Sequence, residues 1–191
     1  MQFIFSSQPT AGKKREFPIN SQLHLLISPS QYISDTLSKG YTIVCDRYYY
    51  SGMVYSAAKQ NPNLTLEWAR KPDEGLPKPD VVVFLDLDPE EAEKRGGFGD
   101  EKYENRAVQE RVRQLFLSLR YGQTEEACDL VVVGAGGSVD EVARQVRAAA
   151  TGQLSSVARG LLREDVMKVQ GWPDGTMAAI QEAKHKASYE L

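Results

Sequence analysis

The chain has 191 residues, 41% of them hydrophobic, with a formal net charge of -3 and a pI near 5.5. That is long enough for one domain with a sizeable core plus a tail, but it offers no electrostatic footing for bulk nucleic acid or an anionic membrane, so any phosphate site must be local. Cys45 and Cys128 form no C-x-x-C pair and read as reduced core residues, His24 and His185 stand too far apart to suggest a metal site, and no run approaches the roughly 18 apolar residues of a membrane helix.

The first seven residues are too few for a signal peptide, which leaves a soluble intracellular chain as the default. Phe3-Ile4-Phe5 is a short apolar run, and Lys13-Lys14-Arg15 reads as a solvated basic segment. Residues 21–37 carry Leu23, Leu26, Ile27, Ile33 and Leu37 at helical spacing, with Pro29 bending that helix or starting a new one and Gly40 as its C-cap. The next run, residues 41–45, is β-branched and nearly continuous in apolar character, as a buried parallel strand should be. It stops at Asp46 and Arg47. Open α/β sheets bind ligands at the carboxyl ends of such strands. Arg47 presents a fork of donors suited to a phosphate, and Asp46 can orient it, hold a metal through water or take a proton. The alternative is an Asp46–Arg47 ion pair that merely closes the loop.

Residues 51–59 read as a helix capped by Ser51, whose amino end is a seat for an anion beside Arg47. Tyr48, Tyr50 and Tyr55 line a nucleoside pocket or belong to the core. Asn61-Pro62-Asn63 breaks the helix, residues 64–69 form a short second one, and the proline-rich stretch to Asp80 is a loop. Residues 81–87 form a second buried strand with Asp86 and Asp88 at its carboxyl end; Asp88-Pro89 caps the helix 90–94, and Arg95-Gly96-Gly97-Phe98-Gly99 follows as a glycine-rich loop. Residues 103–121 place Val108, Val112, Leu115, Phe116 and Leu119 on one helical face. The third strand, 130–133, leads through Gly134-Ala135-Gly136-Gly137 to the helix 139–150, capped by Ser138. In the tail, Val157, Leu161, Leu162, Val166 and Val169 have helical spacing, residues 171–175 make a turn, and 176–189 read as a last helix.

Three stretches carry a resemblance. Asp46-Arg47-Tyr48-Tyr49-Tyr50-Ser51-Gly52, then Lys71-Pro72-Asp73-Glu74-Gly75-Leu76-Pro77-Lys78-Pro79-Asp80, then Lys94-Arg95-Gly96-Gly97-Phe98-Gly99 with Tyr103-Glu104-Asn105, resemble thymidylate kinases of the eukaryotic type in composition, order and spacing. The resemblance covers about residues 23–150. It implies an α/β fold of P-loop nucleoside-monophosphate kinase type, a three-layer parallel sheet with helices on both faces, here with an incomplete amino-terminal part. The chain then divides into a degenerate or truncated segment 1–22, a kinase-like domain 23–150 and a helical extension 151–191. The implied reaction is phosphoryl transfer from MgATP to dTMP, with ATP and Mg²⁺ as cofactors, no nucleic-acid or membrane partner, a possible homodimer, and a cytoplasmic location with the nucleus left open.

The resemblance assigns Asp46, Arg47 and Arg95 to catalysis. Ile27, Gln31, Arg47, Ser51, Gly52, Tyr55, Tyr103 and Gln109 bind the acceptor nucleotide, and Arg95, Gly97, Ala135 and Gly136 the donor; no residue is assigned to direct metal binding. Two departures stand against it. At the base-facing positions Ile27 replaces an aromatic ring and Gln31 an arginine, which puts base specificity in doubt. No G-x-x-x-x-G-K-[ST] occurs: in the nearest stretch, from Phe3 to Lys14, Ser7 replaces the first glycine and Lys14 the metal-binding hydroxyl. The family also places a helix and a strand where this chain leaves little room, and only Phe3-Ile4-Phe5 is available to fill the central strand slot. The rival readings are a remnant that binds a nucleoside monophosphate without turnover, and a related deoxynucleoside or nucleotide kinase.

Overall fold

A computed structural model describes residues 2–5, 28–94, 106–122, 124–158 and 167–187. In chain order the elements are β1 (Gln2–Phe5), α1 (Ser28–Ser38), β2 (Ile43–Asp46), α2 (Tyr49–Ala57), α3 (Leu66–Arg70), a 3₁₀ turn (Lys71–Asp73), β3 (Val81–Asp86), α4 (Pro89–Lys94), α5 (Arg106–Tyr121), α6 (Glu126–Asp129), β4 (Leu130–Gly134), α7 (Val139–Ala158) and α8 (Thr176–Ala187). The strands lie in the order β2-β1-β3-β4. β3 and β4 are parallel, with Val82 opposite Leu130 and Asp86 opposite Gly134.

β1 occupies the central slot that only Phe3-Ile4-Phe5 was available to fill, but it runs antiparallel to both neighbours. β2, β3 and β4 therefore share one direction, and their carboxyl ends, Asp46, Asp86 and Gly134, share one edge of the sheet. Gln2 pairs with Asp46 and Val83 near that edge, whereas Phe5 pairs with Ile43 at the opposite one. The expected α/β architecture of parallel strands and helices is present, with one antiparallel strand in its middle. An antiparallel ladder satisfies the seam's N–H and C=O groups as fully as a parallel one, so closing the sheet does not dictate the strand's direction.

Alternation along the strands divides the core. Ile43 and Cys45 of β2 and Val82 and Phe84 of β3 face α1, α2, α3, α5 and α8, where Ile33, Tyr50, Met53, Phe116, Leu119 and Ile180 are buried. Phe84 stacks on Phe116 at 4.5 Å. On the other face Val81, Val83 and Val133 pack against Val142 and Val146 of α7. α7 does not reach across to β2, where Val44 stays 38% exposed. Burial pushes the Cys45 thiol up to about 11, which keeps it protonated, and both cysteines are free.

Several local signals act as read. Gly40, at φ 80°, ends α1 with its N–H bonded to Leu37 O at 2.9 Å. Asp88 caps α4 by accepting from Glu90 N at 2.8 Å. Ser138 and Glu141 form a reciprocal capping box at the start of α7, and that helix runs to Ala158, past the expected end at 150. One cap differs: α2 begins at Tyr49 rather than behind Ser51, because Tyr49 and Tyr50 are themselves buried, which draws the first turn forward. Gly75 sits at φ 86° with open space where a Cβ would go. Gly75→Ala should thus cost only the left-handed backbone penalty, about 1 to 2 kcal/mol, measurable as a lowered urea midpoint.

Candidate functional site

The shared edge of β2, β3 and β4 gathers the candidate residues. Arg47 follows β2 directly with φ 66°, a left-handed backbone that only glycine adopts without cost. A strained arginine at the carboxyl end of a strand is a common mark of a functional position. Its guanidinium lies 5.5 Å over the Tyr55 ring and the residue is exposed. No ion pair joins it to Asp46, so the loop-closing alternative does not describe this corner.

α2 starts two residues later, and its amino end carries the positive pole of the helix toward the same space. Ser51 lies inside the first turn, buried, with its N–H on Tyr48 O at 3.0 Å. Gly52 is exposed and an added Cβ would meet nothing within 4 Å. Tyr55 is partly buried one turn further on, while Tyr50 belongs wholly to the core.

Asp86, at the end of β3, is gripped by an arginine of α5. Its carboxylate accepts from Arg113 Nε at 2.6 Å and Nη2 at 3.0 Å, a two-point grip that holds the Arg113 pKa above its usual value. The pair fixes α5 to the site edge and brings half-buried Gln109, one turn before Arg113, to the same end. Arg111 Nε donates to Ala58 O at 2.8 Å and ties α5 to the end of α2. On the donor side, Ala135 N donates to Asp86 O at 2.7 Å, and exposed Gly136 sits where a Cβ would come within 2.7 Å of Glu91 Oε2. Gln31 is exposed on α1 with its amide donated to Asp35 at 2.8 Å. Ile27, Arg95, Gly97 and Tyr103, and the segment from Ser7 to Lys14, lie outside the described residues. Among the described residues no group of three or more metal-ligating side chains converges.

Sequence reasoning missed the polar cluster beneath the site. Arg70, 1% exposed, donates from Nε to Glu126 Oε1 at 2.7 Å, pairs with Glu125 and donates to Gln170 O. Trp172 covers its guanidinium at 4.9 Å and donates to Glu126 Oε2 at 2.9 Å. Lys78 meets Asp129 at 2.7 Å, and Tyr50 Oη donates to the same carboxylate at 3.4 Å. The sequence carries no signal for it: Glu67, Asp73, Glu74 and Asp80 stand beside Arg70 and Lys78 along the chain, yet the carboxylates that meet them are Glu125, Glu126 and Asp129.

Here three carboxylates share two cations. Burial pushes the Asp129 carboxyl up to about 6 despite Lys78. Its unfolded value is 3.8, so between these two values the native state binds more protons than the unfolded one. Stability carried by this group therefore rises as pH falls through 6. Denaturation midpoints at pH 7 and pH 5 should show this slope in the unaltered chain and a flatter one in Asp129→Asn; equal slopes would overturn the assignment.

The family model for thymidylate kinase matches residues 20–146. A thymidylate kinase of Schizosaccharomyces pombe is 40% identical over 157 residues, covering 75% of this chain and 73% of that protein. The human thymidylate kinase is 42% identical over 130 residues, covering 65% and 59%. A solved thymidylate kinase from Candida albicans, described for its broad substrate specificity, superimposes with a TM-score of 0.62 at 32% identity over 76% of this chain and 68% of that one.

Proposed function

The chain belongs to the thymidylate kinase family, and on that premise we propose that it transfers a phosphoryl group from MgATP to dTMP, releasing ADP and dTDP. The observation that carries this reading is Arg47, held in a left-handed backbone directly after β2, two residues before the start of α2, with its guanidinium over the Tyr55 ring. In this reading the guanidinium takes the acceptor phosphate as a fork. Asp46, which makes no ion pair with Arg47, orients a water on the Mg²⁺ of the substrate complex. Ser51, Gly52 and Tyr55 line the acceptor side, Tyr103 and Gln109 the sugar, and Ile27 and Gln31 the base. Arg95 and Gly97 close over the phosphates, while Ala135 and Gly136 border the adenine.

A phosphate oxygen of dTMP forms the new P–O bond as the bond between the β- and γ-phosphates of ATP breaks, and ADP leaves with that electron pair. No side chain need abstract a proton, so catalysis is positioning and charge neutralisation. A coupled ADP-release assay with MgATP and dTMP, run beside dTMP calorimetry on the same sample, tests the reading. Turnover supports it. Binding without turnover would leave only the acceptor half, and neither would overturn it.

The direction of β1 bears on the donor. Phe5 ends at the edge opposite Arg47, whereas a P-loop follows a strand that ends at the site edge. Lys13→Ala is accordingly expected to change the KM for ATP less than twofold; a large rise would show that this segment reaches the phosphates after all.

A further inference from the structure

The acceptor corner is joined to the carboxyl-terminal tail by an unbroken run of contacts. Residues 167–169 pair with 75–78: Gly75 N donates to Val169 O at 2.9 Å, Val169 N to Leu76 O at 2.9 Å, and Lys78 N to Met167 O at 2.7 Å, with Pro77 opposite Lys168. Val169 is buried in the main core. Gln170 and Trp172 anchor the far end on Arg70 and Glu126.

The paired loop in turn holds the site. Tyr48 Oη donates to Pro77 O at 3.1 Å. Tyr48 is the residue between Arg47 and α2, and its own carbonyl accepts from Ser51 N and Gly52 N at 3.0 and 3.5 Å. Arg47 is strained and exposed, with its ring contact to Tyr55 the side-chain contact found for it. Its backbone must therefore be over-determined from outside, and Tyr48 is the adjacent residue through which the fold does so.

We propose that residues 167–172 act as a positioning strap for the acceptor-phosphate site. The strap fixes the carbonyl of Pro77, Pro77 fixes the Tyr48 ring, and Tyr48 holds Arg47 in the left-handed conformation that aims its guanidinium. This rests on the reading of Arg47 as the dTMP phosphate ligand. Trp172 and Tyr48 are then positioning residues that never touch substrate.

The test uses the full chain with Trp172→Phe, which keeps the ring over Arg70 but removes the Nε1–H donor, Tyr48→Phe, which removes one hydroxyl, and the double variant. Each single change is expected to weaken dTMP binding by calorimetry about three- to tenfold, with the KM for ATP unchanged. The double variant should lose little more than either, because the two act in series. Hydrogen exchange at the Ser51 and Gly52 amides should quicken in Trp172→Phe. A lowered melting temperature with dTMP affinity unchanged, or additive losses, would reduce the strap to a structural support and overturn the proposal. If the unaltered chain binds no dTMP, the acceptor reading falls first; exchange then decides whether the strap holds this backbone, faster exchange supporting it and unchanged exchange overturning it.

Discussion

Arg47→Ala is expected to weaken dTMP binding by about 1.5 to 3 kcal/mol, the range for a hydrogen bond to a charged group, which calorimetry reads as a roughly 10- to 150-fold rise in the dissociation constant. The loss comes from the acceptor phosphate, which in water keeps its hydration and in the site exchanges it for the guanidinium fork. Arg47→Lys should recover only part, since an ammonium supplies the charge without the two parallel donors. The backbone separates binding from folding. At φ 66° any side chain at this position carries a conformational cost. Arg47→Gly should therefore lose dTMP affinity as Ala does while raising stability by about 1 kcal/mol. Opposite signs for affinity and stability would identify a residue kept for function against the preference of its own backbone. Unchanged dTMP affinity in both variants would sink the assignment.

How much of this corner is legible without coordinates depends on how far its determinants lie along the chain. β2, β3 and β4 were readable because each is a β-branched run, and the turns at Gly40, Asp88 and Ser138 because each cap sits within a few residues of what it caps. The place of Arg47 just past a strand end was readable too, but its left-handed backbone was not. The direction of β1 was not, for four residues carry no signal of polarity and both ladders satisfy the same backbone groups. Nor was the start of α2, where burial of Tyr49 and Tyr50 outweighs the preference of Ser51 for a cap. Nor was the pairing of Asp86 with Arg113, far along in sequence. α6 is a four-residue helix with no periodicity to read, held from across the fold by Arg70. What eluded the sequence is long-range pairing of charge, and it is concentrated beneath the site.

Glu126→Ala should be the most damaging of the changes considered, at about 3 to 5 kcal/mol of stability, because it strips a buried guanidinium of its fully buried carboxylate partner. The two side chains are 2% and 0% exposed, so water does not reach in to replace the lost oxygens. Glu125 and Gln170 O stay in place, but Nε loses its acceptor and the Trp172 indole loses its own. Glu126→Gln keeps one acceptor oxygen, enough for Arg70 Nε or for the indole but not for both because its NH2 only donates, and should cost less than Ala. Arg70→Met reverses the problem, leaving Glu126 buried with only the indole, and its cost should be similar. The two losses cannot add, because removing both charges takes away the penalty that each single change exposes. Arg70→Met combined with Glu126→Leu is therefore expected to be more stable than either single change, by urea denaturation of the full chain. If the double variant instead equals the sum of the singles, packing rather than charge holds this cluster. If Glu126→Ala costs under about 1 kcal/mol, water fills the gap and the pair is not the keystone of the loop beneath Arg47.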